Sequence, residues 1–367
     1  MKNTPLIKHL IYYALLAFTC VFCLELLILT LPQSNWHDFD VFYNSARAAL
    51  DGKSIYIISG QYDLPFWYFP WAAWFYFPLA IFPRAFALTL YQIISIISGI
   101  LATNSLLHSY NSNFKFQDKL LIFVLLIPLS LELISVGQMD YILLGLTVIT
   151  MYAIEKKKDI LAGALFPLLW IKPHLFIVFT LFAFWRAGKR TVLISLILST
   201  VMLLIETAIS PGWQFEMLKL LQSGTHRIND GLRTTTLPSL LGSPENWVGT
   251  ANIPFTALLI LLAILITWKF RSLPTIPLLS LALVASLFCA PRAFAYDNPL
   301  LIPAMIWLTA KEFNKTFWLW IAAAIICFLT GYTSNGYLLT LLIFALSILK
   351  AYKTVSVHPN VLDTQPN

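Results

Sequence analysis

The sequence predicts an all-α polytopic membrane protein. Of its 367 residues, 59% are hydrophobic and only 11% are charged, and the mean hydropathy is +0.76. A soluble domain of this length carries far more charge on its surface. The formal net charge of +7 lies in short basic runs between apolar segments. Such runs set orientation in a membrane, so we do not expect this charge to bind nucleic acid.

Apolar segments recur along the chain and predict about twelve transmembrane helices in one integral membrane domain, residues 1–367. The first segment is too long for a cleaved signal sequence and is interpreted as a retained span. The segments lie at residues 10–31, 86–107, 119–136, 140–154, 160–171, 173–185, 190–209, 251–270, 273–289, 298–309, 316–330 and 335–350.

The basic connectors predict an orientation. FKFQDK, EKKKD, RAGKR, KFRS and KEFNK all fall on the cytoplasmic side when both termini are placed there. The outer loops 32–85 and 210–250 then lie outside, and we expect them to carry the functional site. This arrangement requires that residues 65–83, with four prolines and many aromatic residues, do not cross the membrane. If they cross, EKKKD lies outside instead.

The segments 160–171 and 173–185 are short for a hydrocarbon core of about 30 Å, which needs about 20 helical residues. The sequence therefore predicts a hairpin broken at IKPH, with Lys172 and His174 below the outer surface. Broken helices at membrane depth are typical of cavity linings.

The stretch NWHDFDVFYNSARAALDG, residues 35–52, predicts an amphipathic helix lying on the membrane in the first outer loop. Asp38 is expected at its N-cap, Asp40 in its first turn, and Gly52 at its end. One interpretation is that the two acids only cap the helix and complement its dipole. The other is that one of them is a general base at the lipid–water boundary. The predicted apolar face consists of Phe42, Ala46, Ala49 and Leu50.

DFDVFYNSARAALDGKSIY resembles the first-loop signature of glycosyltransferase family 87, GT-C-type membrane enzymes similar to polyprenyl-phosphate-mannose-dependent mannosyltransferases. FWYFPWAAWFYFPLAIFP, ISVGQMDYILLGL, LAGALFPLLWIKPHLFIV and CAPRAFAYDNPLLIP resemble later blocks of the family, in the same order. The chain departs from the family at Pro70–Trp71, where a Pro pair is frequent, and at Asp140, where Asn is frequent. The resemblance covers most of residues 30–310.

This resemblance implies a GT-C bundle that transfers a hexose from a polyprenyl-phosphate donor to a lipid or glycan acceptor outside the cytoplasm. Mannose is the first candidate for the hexose, and the transfer is expected to invert the anomeric centre. The resemblance assigns the general base to Asp38, with Asp40 as the alternative. The two acids also fit a metal-binding DxD pair. A donor with a single phosphate has less charge for a divalent cation to neutralise, so no cofactor is expected.

The departing lipid phosphate gains negative charge, and fixed cations near it lower the barrier. Gln138, from the Gly–Gln segment, and Tyr296 are expected in the same substrate site. Asp297 is expected to orient the acceptor or to pair with a cation, Arg292. The candidate cations are Arg292, Lys172, His174, His226, Arg227 and Arg233.

Two other functions fit a polytopic protein. A transporter or flippase of lipid-linked sugars is typically built from paired broken helices in two related halves, and only one broken hairpin is evident here. A glycan polymerase or ligase shares the number of spans and the large outer loop. The acidic stretch early in the chain argues against that class.

Overall fold

The computed structural model describes residues 37–56, 66–110, 114–222, 252–310, 316, 318–330 and 337–357. The regular structure of this part is helical, which confirms the all-α class. The predicted first span, residues 10–31, lies outside the described residues, as does most of the 210–250 loop.

The helices follow the apolar segments of the sequence, and most of their ends agree with prediction to within one turn. Two 3₁₀ turns, Pro173–Leu175 and Ala295–Leu301, replace the first residues of the helices predicted at 173–185 and 298–309, because prolines interrupt the chain there. The helices are α1 (His37–Leu50), α2 (Trp71–Trp74), α3 (Phe77–Ala80), α4 (Arg84–Tyr110), α5 (Phe116–Val136), α6 (Asp140–Glu155), α7 (Asp159–Leu169), α8 (Ile177–Ala187), α9 (Lys189–Ile209), α10 (Trp213–Gln222), α11 (Asn252–Lys269), α12 (Thr275–Cys289), α13 (Ile302–Thr309), α14 (Trp318–Thr330) and α15 (Tyr337–Val357).

Four of the described helices, α4, α5, α9 and α15, are long and apolar enough to cross a bilayer. Helices α7, α8, α11, α12 and α14 contain shorter apolar stretches. Helix α9 keeps large apolar side chains exposed, such as Leu204 and Ile209, as expected of a surface that faces lipid. The chain is therefore a membrane protein, and the total of about twelve crossings stays a prediction.

Helix α12 is the central helix of the bundle. Nearly all of its side chains are buried, and it packs against α6, α8, α11, α13 and α15. A helix that is apolar on every side belongs in such a position, because each face meets another helix.

Helices α7 and α8 form the broken hairpin that the sequence predicts. The rings of Phe166 and Phe184 lie 4.4 Å apart, so the chain returns alongside itself after the turn at Pro173–Leu175. Each helix has 11 residues and is about 16 Å long, roughly half of the hydrocarbon thickness. Lys172 and His174 lie at the tip of this hairpin.

Residues 65–83 contain no helix long enough to cross a membrane, within the part that is described from residue 66 onward. Helices α2 and α3 have one turn each and pack against α1. The ring of Phe42 stacks on that of Tyr76, with centroids 4.8 Å apart, and Tyr43 donates a hydrogen bond to the carbonyl of Phe82 at 2.8 Å.

Helix α1 differs from the prediction in two respects. It begins at His37, so Asp38 lies in its first turn and not at the N-cap. Its apolar face is covered by α2 and α3 and not by lipid, because the aromatic stretch supplies a protein surface for it. Leu50, predicted on that face, is 49% exposed, whereas Phe42 and Ala46 are buried.

Gly137 lets α1 approach the end of α5. Its φ of 75° is left-handed, and it ends α5 with a bond from its N–H to the carbonyl of Leu133. A Cβ at this position would lie 2.7 Å from Cβ of Phe39, closer than two carbons can pack. The missing side chain therefore brings residues 38 and 39 against the chain that follows α5.

At the opposite end of the bundle, basic side chains bind backbone carbonyls. Arg186, in the last turn of α8, donates to the carbonyls of Arg271 and Leu273 in the connection between α11 and α12. Lys350 of α15 donates to the carbonyls of Trp307 and Leu308 near the end of α13. The last carbonyls of α13 have no partner within their own helix, so Lys350 satisfies them.

We predict that Gly137→Ala lowers the melting temperature of the protein in detergent and reduces its activity. The left-handed backbone costs about 1–2 kcal/mol for alanine, and the contact with Phe39 adds an overpacking cost of about 1–3 kcal/mol. Gly52→Ala is the matched control: Gly52 also has a left-handed φ of 69°, but the new methyl group would meet no atom within 4 Å. Equal melting temperatures for the two variants would contradict the close approach of α1.

Candidate functional site

Asp38 is held by an amide from the chain that follows α5. Its Oδ2 accepts a hydrogen bond from Nε2 of Gln138 at 2.8 Å, and the same nitrogen lies 3.4 Å from the hydroxyl oxygen of Tyr68. Gln138 is buried. An ionised carboxylate can only accept hydrogen bonds, so this contact fixes which end of the amide faces Asp38. It also stabilises the ionised form that a general base requires.

Tyr68 was not predicted as a site residue, because nothing distinguishes it from its aromatic neighbours in the sequence. Burial raises its pKa to about 12, so the phenol is neutral at physiological pH. Its carbonyl accepts a hydrogen bond from the hydroxyl of Tyr56 at 3.1 Å, which ties residues 54–56 to the aromatic stretch. Tyr68 therefore lies beside Asp38 as a hydroxyl and not as a charge.

Asp40, the alternative base, is engaged in an ion pair. Its two carboxylate oxygens accept hydrogen bonds from Nε and Nη2 of Arg84, at 2.5 and 2.7 Å, and its side chain is buried. This bidentate pair joins the start of α1 to the start of α4. Because both oxygens are bound to one guanidinium, the geometry favours Asp38 over Asp40 as the residue that meets an acceptor hydroxyl.

The two acids of the DFD stretch have different partners, Gln138 and Arg84. Across the residues that the structure describes, no three His, Cys, Asp or Glu side chains are grouped as a metal site. The arrangement of this pair thus gives no support to a DxD interpretation.

Lys172 lies between two carboxylates at the tip of the α7–α8 hairpin. Its Nζ donates to Oδ2 of Asp140 at 2.7 Å and to Oδ1 of Asp297 at 2.9 Å, and all three side chains are buried. We refer to these three residues as the Lys172 cluster. The ammonium is compensated by protein carboxylates, so it is not available in this form to neutralise a phosphate. Asp297 pairs with Lys172 here, whereas the sequence suggested Arg292 as its partner.

His174 lies two residues further, in the turn Pro173–Leu175 at the same tip of the hairpin. Its imidazole can donate a hydrogen bond to a substrate or accept one from it.

Arg292 lies in the connection between α12 and α13, against an aromatic pair. Its guanidinium carbon is 4.5 Å from the ring centroid of Phe294, and that ring stacks on Tyr296 at 4.9 Å. At the other end of this aromatic pair, Nζ of Lys172 is 4.8 Å from the ring centroid of Tyr296. The N–H of Phe294 donates to Oδ2 of Asp297 at 2.7 Å, which closes the turn.

Tyr296 connects the two halves of the site. Burial raises the pKa of its phenol, which is also under the electrostatic influence of Asp38, Asp297 and Arg292. The ring of Tyr296 lies between Lys172 and Phe294, the ring against which Arg292 packs. His226, Arg227 and Arg233, predicted in the long outer loop, lie outside the described residues.

The predicted first outer loop and the beginning of the predicted second one are in contact. The hydroxyl of Ser54 donates to Oε2 of Glu216 in α10, and the ring of Trp213 meets that of Phe69 edge-on at 6.5 Å. Both loops were expected to carry the site, and their described parts lie together. What the sequence missed are the partners: Arg84 for Asp40, and Asp140 for Lys172.

Comparison with known families identifies a match. Residues 66–294, more than half of the chain, match the model of glycosyltransferase family 87. Neither curated proteins nor solved structures give a significant match to the chain. The matched stretch contains Tyr68, Gln138, the Lys172 partner Asp140 and Arg292. The chain belongs to glycosyltransferase family 87 and is a GT-C-type membrane glycosyltransferase.

Proposed function

We propose that this glycosyltransferase transfers a hexose from a polyprenyl-phosphate donor to a hydroxyl of a lipid or glycan acceptor on the extracytoplasmic side. Mannose is the first candidate for the hexose. Asp38 is the general base, and Arg292 faces the departing phosphate. The observation that carries this proposal is the Asp38–Gln138 contact at 2.8 Å. Gln138 lies two residues before Asp140, and the Lys172 cluster joins Asp140 to the turn that carries Arg292. Family membership favours the transferase over the flippase that the sequence left open.

The base works in a single displacement. Asp38 removes the proton from the acceptor hydroxyl as its oxygen attacks the anomeric carbon, and the bond from that carbon to the phosphate oxygen breaks on the opposite face. The product is therefore inverted. Gln138 holds the carboxylate in place through the reaction, because the residue is buried and its backbone N–H donates to the carbonyl of Leu133.

Arg292 is the described candidate that we favour as the cation. Lys172 is compensated by two carboxylates, and a guanidinium can stabilise the negative charge that grows on the phosphate. Its planar group suits a phosphate, because two parallel N–H groups can donate to two oxygens.

The two ends of the bundle support the extracytoplasmic side. Asp38, Gln138 and Lys172 lie at one end, where α5 ends and α6 begins. The basic connectors at residues 155–159 and 186–190 lie at the other end, held to each other by Thr191 and Asp159 across α7 and α9. Basic connectors favour the cytoplasm, which supports an extracytoplasmic site.

We predict that Asp38→Asn abolishes transfer, with kcat lower by at least about 10²–10⁴-fold, because the amide cannot take up the proton. Donor binding is expected to stay close to that of the wild type. The measurement is product formation by purified protein offered polyprenyl-phosphate mannose, glucose or arabinose together with membrane extract as acceptor. Full activity of this variant would refute Asp38 as the base.

Asp40→Asn is the matched comparison, two residues away on the same helix. It breaks the ion pair with Arg84, so we expect a lower melting temperature but a smaller loss of kcat in the folded fraction than for Asp38→Asn. The exposed Asp51→Asn should change neither quantity, since its contact with Lys53 is long and solvated. A larger loss of kcat for Asp40→Asn than for Asp38→Asn would reverse the assignment.

We predict that Arg292→Gln lowers kcat by about 100-fold, the usual effect of removing one group that stabilises transition-state charge. Arg292→Lys restores only a part, because an ammonium lacks the bidentate geometry. Steady-state rates with the donor that proves active give the values. Unchanged kcat for Arg292→Gln would show that the phosphate is met by another group.

A further inference from the structure

The connections that carry the candidate site meet at one buried cation. Lys172 belongs to the connection between α7 and α8, Asp140 to the start of α6, and Asp297 to the connection between α12 and α13. The two ion pairs of the Lys172 cluster, at 2.7 and 2.9 Å, therefore join three parts of the chain that are far apart in sequence. Gln138 and Arg292 lie in two of these parts.

A continuous series of contacts runs from Lys172 to Arg292. The ammonium lies over the ring of Tyr296, this ring stacks on Phe294, and the guanidinium lies over Phe294. Asp297 supports the same turn twice, since one oxygen binds Lys172 and the other accepts from the N–H of Phe294. A cation over an aromatic face is attracted by the negative electrostatic potential of that face, and two stacked rings also attract each other. Each step of the series is therefore favourable.

A long arginine side chain loses rotamer freedom when it is held in one orientation. If this loss occurs before the donor arrives, the guanidinium is already aimed when charge develops on the phosphate, and no reorganisation is needed at that moment. The series of contacts provides such preorganisation.

We propose that Lys172 is a positioning residue and not a phosphate ligand: through Asp297 and the Tyr296–Phe294 ring pair, it holds Arg292 in the orientation that receives the departing phosphate. The inference rests on the proposed function of Arg292. Lys172 acts at a distance, and the conformation of residues 290–297 is what it controls.

The first test needs no substrate. Amide hydrogen exchange of Lys172→Met in detergent should be at least about tenfold faster than wild type in a peptide that covers residues 290–297, because the bond from Phe294 to Asp297 loses its support. Peptides from α15 should be unchanged. Lys172→Met/Asp140→Asn is the second variant if the single one does not fold, since one lysine and one aspartate are removed together and the cluster keeps its net charge. Unchanged exchange at residues 290–297 overturns the proposal, whatever the protein transfers.

The second test separates positioning from direct contact. Tyr296→Leu should lower kcat by about tenfold with little change in the melting temperature. Tyr296→Phe keeps the ring and should therefore retain most of the wild-type kcat. In an Arg292→Gln background, Tyr296→Leu should have no further effect, because the ring acts through Arg292. Tyr352→Leu, which removes the exposed cation–ring contact of Lys269 at the other end of the bundle, is the control without effect.

An equal loss from Tyr296→Leu in both backgrounds would show that the ring meets the substrate itself, and the proposal fails. A raised KM with unchanged kcat in Lys172→Met would show a phosphate ligand and overturns it as well. Absence of product from wild type with every donor would refute the proposed donor alone, and the exchange experiment would still decide the role of Lys172.

Discussion

The buried ammonium of Lys172 is the interaction on which the arrangement of the site depends. A charge without a partner is costly in a low-dielectric interior, so Lys172 can be buried there only if carboxylates pair with it. Asp140 and Asp297 are these carboxylates, and their ion pairs bring the ends of α5, α7 and α12 to one level. Removal of one partner from such a buried pair costs about 3–5 kcal/mol, which is a large share of the stability of most domains.

Hydropathy alone predicts most of the helices. A segment that crosses a bilayer must be long and apolar, and its backbone groups must form hydrogen bonds within the segment. The segment 190–209 became α9, at Lys189–Ile209, and the proline-rich stretch after residue 65 formed single turns and no crossing helix in its described part. The ion pairs inside the site could not be predicted from hydropathy. Asp140 and Asp297 are 32 and 125 residues from Lys172, and no sequence pattern marks charges that pair over such separations.

The choice between Asp38 and Asp40 shows the same limit at short range. Successive residues of a helix are about 100° apart, so two acids separated by one residue face nearly opposite directions. The sequence places both acids at the start of one helix, and only packing reveals that Asp40 faces Arg84 and Asp38 faces Gln138. The position of Lys172 at a helix break was predicted, but its partners Asp140 and Asp297 could not be predicted for the same reason.

The contact between Phe39 and Gly137 has a consequence for tracing this site in other chains. An acid followed by a bulky ring needs a glycine opposite it, and that glycine delivers the glutamine which binds the acid from one hundred positions further along the chain. These two dipeptides form a single bipartite fingerprint, whose halves constrain each other sterically. A protein that keeps only one half has space where the other chain should lie, and its carboxylate is then oriented by different means.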